Sequence, residues 1–493
     1  MQRRRPPWRG VGLWIVALSI ALGRPHASSL APMVRVGDAE AAAAGTSRLY
    51  LPLLLQEWGP AASRQVNAPR LSDPLGTDFA RMAIFWFGRV TPTANYADVR
   101  VAYTDTELVV YVAVFDRRLW MDPDPSPTSL TAWDAVSLFL NLDGPVGSAP
   151  TAAAFHFIGG LSNADRSGRY QAAFRGDGVR WTRVSLPFGA LAGWRGDALN
   201  NNGDDRGWAM TFEIPFAALG RNGPPPEGTL WGLALMVHDR DDATGTPIPA
   251  TTWPERASPD RPASWGRLRF GLPVYAPPAA RPGGTLTVRH RLNGATVRDA
   301  AVGGYTRCGS GLQDLWAQWG ETTEAFYNPE RSDFNIQNQV DVADWPCFSK
   351  YYVTFPLDGL PPGKAILSAT LTLHLMGNGG SAETAPRSWI QVLTVNEDWD
   401  DRTLTWNNAP LAAENVGGAW VDPVRQWPGW PGIPYTWDVT YAVARAYASG
   451  QPLRLVLYSA DGAYHSGKSF VSSDVEDWNA EGRPTLRILW GDP

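Results

Sequence analysis

SKYYVTFPLDGLPPGKAILSATLTLHL, residues 349–375, carries the clearest alternation in this chain of 493 residues. Tyr351, Val353, Phe355 and Leu357 fall at every second position. Leu367, Ala369, Leu371, Leu373 and Leu375 repeat the pattern, with Ser368, Thr370, Thr372 and His374 between them. A period of two describes a strand with one buried and one wetter face, so the segment predicts two strands. The break at 358–363, DGLPPG, cannot continue a ladder, because proline lacks a donor and glycine favours turns. Two half-buried strands are not stable alone in water and need a second sheet over their apolar face. The C-terminal half therefore reads as a β-sandwich.

The same texture extends in both directions. Upstream, strands are expected at 99–103, 108–116, 135–142, 155–158, 209–214, 230–237 and 267–271, separated by Asn-, Asp- and Gly-rich connections. The segment LVVYVAVFD at 108–116 is apolar on both faces and belongs in the middle of a sandwich. A single helical turn is expected at 215–219. Residues 273–284, PVYAPPAARPGG, have the composition of a semi-rigid linker. Beyond it, strands are expected at 286–288, 389–395, 404–406, 435–439, 453–458, 469–472 and 485–490. Thr440 is placed to cap a short helix over 441–448 that Gly450 ends. The fold class is all-β, with two β-sandwich or jelly-roll domains in tandem at 66–272 and 285–493.

The N-terminus has the pattern of a secretory signal peptide over residues 1–30. Arg3, Arg4 and Arg5 precede an apolar run at 11–22, and small residues follow at 27–31. That run is too short to span a bilayer, so no membrane span is expected in the mature chain. Residues 31–65 read as a linker holding the apolar piece LYLPLLLQEW at 49–58. The expected location is secreted, extracellular or at the cell surface. The only cysteines are Cys308 and Cys347, and in an oxidising compartment a lone pair within one domain reads as a disulfide. A bridge closing a loop of that length stabilises by roughly 3–4 kcal/mol in the chain-entropy treatment. The net charge of −5, with no basic cluster beyond the extreme N-terminus, argues against nucleic-acid binding.

Two resemblances follow from these segments. Residues 66–272 resemble the family-9 carbohydrate-binding modules through VRVAYTDTELVVYVAVFD, WDAVSLFLNLDG, WAMTFEIPFAALG and WGRLRF, in that order. In that family two tryptophans sandwich a terminal sugar, helped by a glutamate and an arginine. The resemblance puts Trp133 near the first tryptophan, Ser137 in the glutamate's place and His156 or its neighbours in the arginine's. For the second tryptophan Trp253 is early, and Trp265 fits a core position. Residues 285–490 resemble the DNRLRE-type jelly-roll domains, a group that includes alginate-binding modules. The carriers are the opening stretch, EDWDDRTLTWNNAP, WDVTYAVARAYASG and FVSSDVED followed by GRPTLRILW. That resemblance implies an extracellular, polysaccharide-associated setting.

Chemistry beyond the resemblances rests on aromatic and acidic loops. Flat aromatic faces suit the C–H face of a pyranose, and the chain has 24 tryptophans. Those alternating with apolar neighbours, such as Trp231, Trp406 and Trp490, read as core. Trp427 and Trp430, in the Pro/Gly-rich WPGWP, are the better ligand candidates, and Trp316 with Trp319 repeats their spacing. Acidic loops at 200–205, 239–242 and 398–401 suit a structural calcium, with Asp204, Asp205, Asp239 and Asp241 as candidate ligands. None has the EF-hand spacing, and Asp and Asn also simply make turns. No HExxH, GxSxG or phosphate-cradling loop is present. His156, His238 and His374 lie on strands and otherwise read as structural. These features describe a non-catalytic, polysaccharide-binding protein. A cell-surface adhesive or spacer module and a polysaccharide lyase or hydrolase without a local motif are the competing classes.

Overall fold

In a computed structural model of the chain, the described residues are 64–163, 168–304, 308–322, 333–342 and 345–493. The segment read as a signal peptide, the apolar piece at 49–58 and nearly all of the linker at 31–65 lie outside them. Among the described residues the chain is nearly all β, arranged in four sheets.

The first sandwich pairs two sheets. One orders Gln65–Ala68, Gly266–Phe270, Leu230–His238, Ala135–Asn141, Ala154–Gly160, Gln171–Gly176 and Trp181–Val184, with Thr251–Trp253 added beside Leu230–His238. The other orders Ala83–Thr91, Ala94–Tyr103, Glu107–Phe115, Gly207–Pro215 and Gly189–Arg195. Alternate residues of facing strands fill the space between them: Leu108, Val110, Val112 and Val114 meet Val136, Leu138, Leu140, Leu233 and Leu235. The turn expected after Pro215 is a short 3-10 helix, Phe216–Leu219, ended by Gly220 at φ 73°.

The second sandwich has one sheet of Arg281–Arg289, Thr485–Asp492, Ala365–Asn378, Lys468–Val471 and Asp333–Ile336, with Ile433–Asp438 also on Ala365–Asn378. Its partner sheet orders Arg298–Gly303, Ser349–Phe355, Leu453–Ser459, Ser388–Thr394 and Glu414–Val421. Tyr351, Val353, Phe355 and Leu357 face the core as their alternation predicts. The second run obeys its alternation only from Ala369 onward. A bulge between Ile366 and Ser368 moves Ile366 to the core and leaves Leu367 half-buried, because one extra residue flips the side-chain parity.

The sandwiches are stacked face to face. The outer face of the Ala94–Tyr103/Glu107–Phe115 sheet packs on the outer face of the Ser349–Phe355/Leu453–Ser459 sheet. Ile84, Trp86, Tyr96 and Phe115 meet Val302, Tyr352, Val456 and Tyr458 in a third apolar layer. This explains why residues 108–116 are apolar on both faces: the even-numbered residues enter the first core, and Ala113 and Phe115 enter the seam. Polar anchors cross the same seam. Asp98 accepts from Tyr96, Tyr458 and Asn338 at 2.6, 2.8 and 3.0 Å, and Arg64 pairs with both Glu255 and Glu397.

Three expectations are corrected. Residues 281–284, read as linker, open the strand Arg281–Arg289. Residues 404–406, read as a strand, form a turn: Thr405 N donates to Asn408 Oδ1 at 2.7 Å, and Leu404 and Trp406 plug the seam. Their alternation reflects insertion into the seam and not a ladder. The helix is Thr440–Ala448, but Thr440 does not cap it; its Oγ1 accepts from Ala369 N at 2.9 Å and so ties the helix to the sheet. The Cys308–Cys347 disulfide is present.

Candidate functional site

Among the described residues, the most exposed cluster of large aromatics lies on the second sandwich. Trp427, Trp430 and Trp478 are 65%, 47% and 59% exposed. Trp427 and Trp430 have ring centres 5.5 Å apart at 85°, and Trp430 and Trp478 are 4.5 Å apart at 83°. Each contact is edge-to-face, the geometry the ring quadrupoles favour, and it leaves ring faces open to solvent.

Local chemistry fixes the frame beneath these rings. The loop carrying Trp427 and Trp430 joins Glu414–Val421 to Ile433–Asp438. Asn378 clamps it at Val424, donating to its carbonyl at 2.7 Å and accepting from its N–H at 2.9 Å. Gly432 sits at φ 101°, and a Cβ there would come 2.9 Å from the Leu375 carbonyl, so the loop lies on the sheet where no larger residue fits. Arg483, which is buried, holds the turn that carries Trp478. The Arg483 guanidinium donates twice to the Val475 carbonyl, once to the His290 carbonyl and at 2.6 Å to Asp477. Gly482 lies close enough to the Pro431 carbonyl that a Cβ would approach it to 3.0 Å, which brings the two loops together.

Trp478 was not singled out from the sequence. Its signal is the absence of alternation around DWNAEG: an aromatic among polar neighbours has no core to enter. Trp316 and Trp319, paired with Trp427 and Trp430 by spacing, are instead buried in the seam.

The candidates in the first sandwich separate. Trp253 is 1% exposed and packs on Phe85 at 4.3 Å, so it is core and unavailable to a sugar. Trp133 is half-buried, and the Arg240 guanidinium covers one ring face at 3.7 Å. Arg240 is itself held by the carbonyls of Asp242 and Ala243. His156 is half-buried and stacks on Phe139 at 4.1 Å. Its Nε2 and that of His238 both lie 2.9 Å from Ser137 Oγ. A hydroxyl has one proton, so one imidazole donates and the other accepts. Burial pushes His156 down to about 3 and His238 down to about 4. Both rings are therefore neutral near pH 7.

The acidic candidates also divide. Asp204 is committed to Arg117 and Arg118 at 2.9 and 2.7 Å. Asp205 accepts from the backbone of Leu119 and Asp197. Asp239 and Asp241 instead converge with Asp116, carboxylate oxygens of all three lying within 4.8 Å of one another. Asp116 follows the strand Glu107–Phe115 and Asp239 follows Leu230–His238, so the cluster spans the end of the sandwich. Asp116 is 1% exposed; its Oδ1 accepts from Arg118 N, whereas its Oδ2 and Asp239 Oδ1 have no hydrogen-bond partner. Burial and the neighbouring Asp241 push Asp239 up to about 7. Asp134, beside them, gives both oxygens to the backbone N–H groups of Trp120 and Arg240. Asp116 was passed over because it reads as the last residue of a strand.

Comparisons with known proteins add the following. No curated protein matches the chain. A family-9 carbohydrate-binding module from Caldicellulosiruptor kristjanssonii, solved with cellotriose, aligns at 13% identity over 43% of this chain and 100% of its own, with a TM-score of 0.31. A putative carbohydrate-binding protein from Bacteroides uniformis aligns at 13% identity over 42% of this chain and 99% of its own, with a TM-score of 0.33. The segment that carries all three exposed tryptophans, residues 330–486, matches the family model of carbohydrate-binding module family 96.

Proposed function

We propose that the chain is a secreted, non-catalytic protein that holds extracellular polysaccharide on the Trp427–Trp430–Trp478 platform. One observation carries this reading. Three tryptophans expose large apolar faces on a frame fixed by Asn378, Arg483 and two glycine-limited contacts, inside the segment matching a carbohydrate-binding family. Exposed aromatic surface of this kind is costly unless something covers it, and a pyranose C–H face is suited to do so. The signal-like N-terminus and the disulfide support export. In this reading the two sandwiches, 66–272 and 285–493, act as one body, and any role of Trp133 and His156 is confined to the first.

We further propose that Asp116, Asp239 and Asp241 hold a structural calcium. Two buried carboxylate oxygens without partners, facing further carboxylates, support a hard cation with oxygen ligands. The same cluster is the best argument for the enzymatic alternative; the near-complete burial of Asp116 favours a structural role instead.

Titration of the full chain against a glycan panel, with and without calcium, separates the classes. Retention without turnover supports the platform. Silence on every glycan supports an adhesive or spacer module, and shortened chains support an enzyme.

A further inference from the structure

A cleft of about 370 Å³ opens at the lip of the seam. Arg117, Asp204, Asp205 and Arg206 line it from the first sandwich, and Gln313, Asp314 and Trp316 from the second. Its size is near the lower end of small-molecule sites, about 300–1,000 Å³. It lies apart from the tryptophan platform and shares no residue with it.

The charges in the cleft are unequally committed. Arg117 binds Asp204 through two contacts, Nε to Oδ1 at 2.9 Å and Nη2 to Oδ2 at 3.3 Å. Asp205 has both oxygens taken by backbone N–H groups. Asp314 caps the short helix Leu315–Gln318 by accepting from Ala317 N at 3.0 Å. Arg206 alone among these charged groups has no side-chain hydrogen bond or ion pair with a described residue. Its guanidinium lies 5.9 Å from the Trp345 ring centre, over the aromatic end of the seam. A guanidinium is always charged, presents a planar fork and is weakly hydrated, so at a partly desolvated lip it favours a bidentate oxyanion. Half-buried Leu315 supplies apolar wall, backed by the buried Trp316, and the exposed Gln313 amide supplies a donor and an acceptor for hydroxyls.

We infer that this cleft is a second binding site, for a small anionic saccharide whose carboxylate, sulfate or phosphate group pairs with Arg206. A neutral sugar of the same size gains only the wall and Gln313. Asp204, Asp205 and Asp314 also line the cleft but are each engaged by protein donors, so the fork is the charged group left to select an anion.

The test titrates the full chain by ligand-observed NMR with glucuronic acid, glucose 6-sulfate, glucose 6-phosphate and glucose. The wild type should prefer at least one charged probe over glucose by about tenfold or more, the scale of one charge-assisted hydrogen bond. The best-bound probe identifies the anionic group. Arg206→Gln should erase the preference. Gln313→Glu, at an exposed position with no packing to lose, should reduce it by repulsion while Arg206 stays in place. Trp427→Ala should leave it unchanged, which separates the cleft from the platform. A wild type that binds charged and neutral probes alike, or an Arg206→Gln variant that keeps the preference, overturns the inference.

Discussion

The Trp430 and Trp478 rings meet edge-to-face, 4.5 Å between centres, although each is delivered by a different loop. Removing Trp478 therefore takes away one wall of the platform without touching a core. Trp478→Ala should weaken glycan retention by roughly 2 kcal/mol or more, the scale of an aromatic hot spot, or about thirtyfold. Because the side chain is 59% exposed, stability should move by no more than about 0.5 kcal/mol. Affinity electrophoresis beside a melting curve checks both. Lost stability with unchanged retention would assign Trp478 to packing.

Arg483 is buried beneath the turn that carries Trp478 and bonds Asp477 beside it, so any effect on a glycan held by Trp478 is indirect. Its fork holds the Val475 and His290 carbonyls and the Asp477 carboxylate together, and a lysine ammonium cannot span them all. Arg483→Lys should lower the melting temperature and also weaken retention. A purely structural role predicts that the second effect persists when Trp478 is already alanine. A positioning role predicts that it vanishes there, and a double-mutant cycle on binding distinguishes the two.

The fold was largely legible because alternation is a local property. Tyr351, Val353 and Phe355 reached the core their spacing demands. Where reading failed, a non-local partner had changed the meaning of a pattern. Leu404 and Trp406 alternate yet plug the seam, and Leu367 was displaced by a bulge that no single residue announces. Trp253, early for the second sugar-stacking tryptophan but kept as a ligand candidate, is core, because the short strand Thr251–Trp253 carries it against Phe85. The candidate site was half legible: the turn residues of WPGWP pointed to the exposure of Trp427 and Trp430, while Trp478 and Asp116 gain meaning only from what folds beside them.

The acid cluster gives a pH dependence with a definite sign. The Asp239 carboxyl is pushed up to about 7, above the ordinary value near 4, so the folded chain holds that proton more tightly than the unfolded one. Its contribution to stability is complete below about pH 4 and is lost as pH rises through 7. In chelator, the melting temperature should therefore fall between pH 5 and pH 8. Calcium should restore it most at pH 8, where the carboxylates are ionised, and little at pH 5. Asp239→Asn should lessen the fall, to which the likewise raised Asp116 and Asp134 also contribute, and abolish the calcium response. A melting temperature indifferent to calcium at pH 8 would end the cation proposal and leave shared protons as the account of the cluster.

Lys350 tests whether the seam makes one cooperative body of two sandwiches. Its Nζ has no hydrogen-bond partner and lies 3.5 Å from the ring centre of Trp406, 4.2 Å from Trp86 and 4.7 Å from Tyr96. Trp86 and Tyr96 come from the first sandwich and Trp406 from the second. Burial holds the amine well below the ordinary lysine range, and Asp98 acts against that shift. Ring attraction at this position acts only on the ammonium, and burial, which disfavours that charged form, works against it. Packing should therefore decide. Lys350→Met, which fills the same slot with an apolar chain, should change stability by less than about 1.5 kcal/mol. Lys350→Ala, which leaves a cavity among the rings, should cost about 2–5 kcal/mol. Denaturant unfolding followed by tryptophan fluorescence reads both, and the wild type should unfold in a single transition because the third apolar layer is shared by the two sandwiches. If Lys350→Met proves as damaging as Lys350→Ala, attraction between the ammonium and the rings holds the seam, and shape does not.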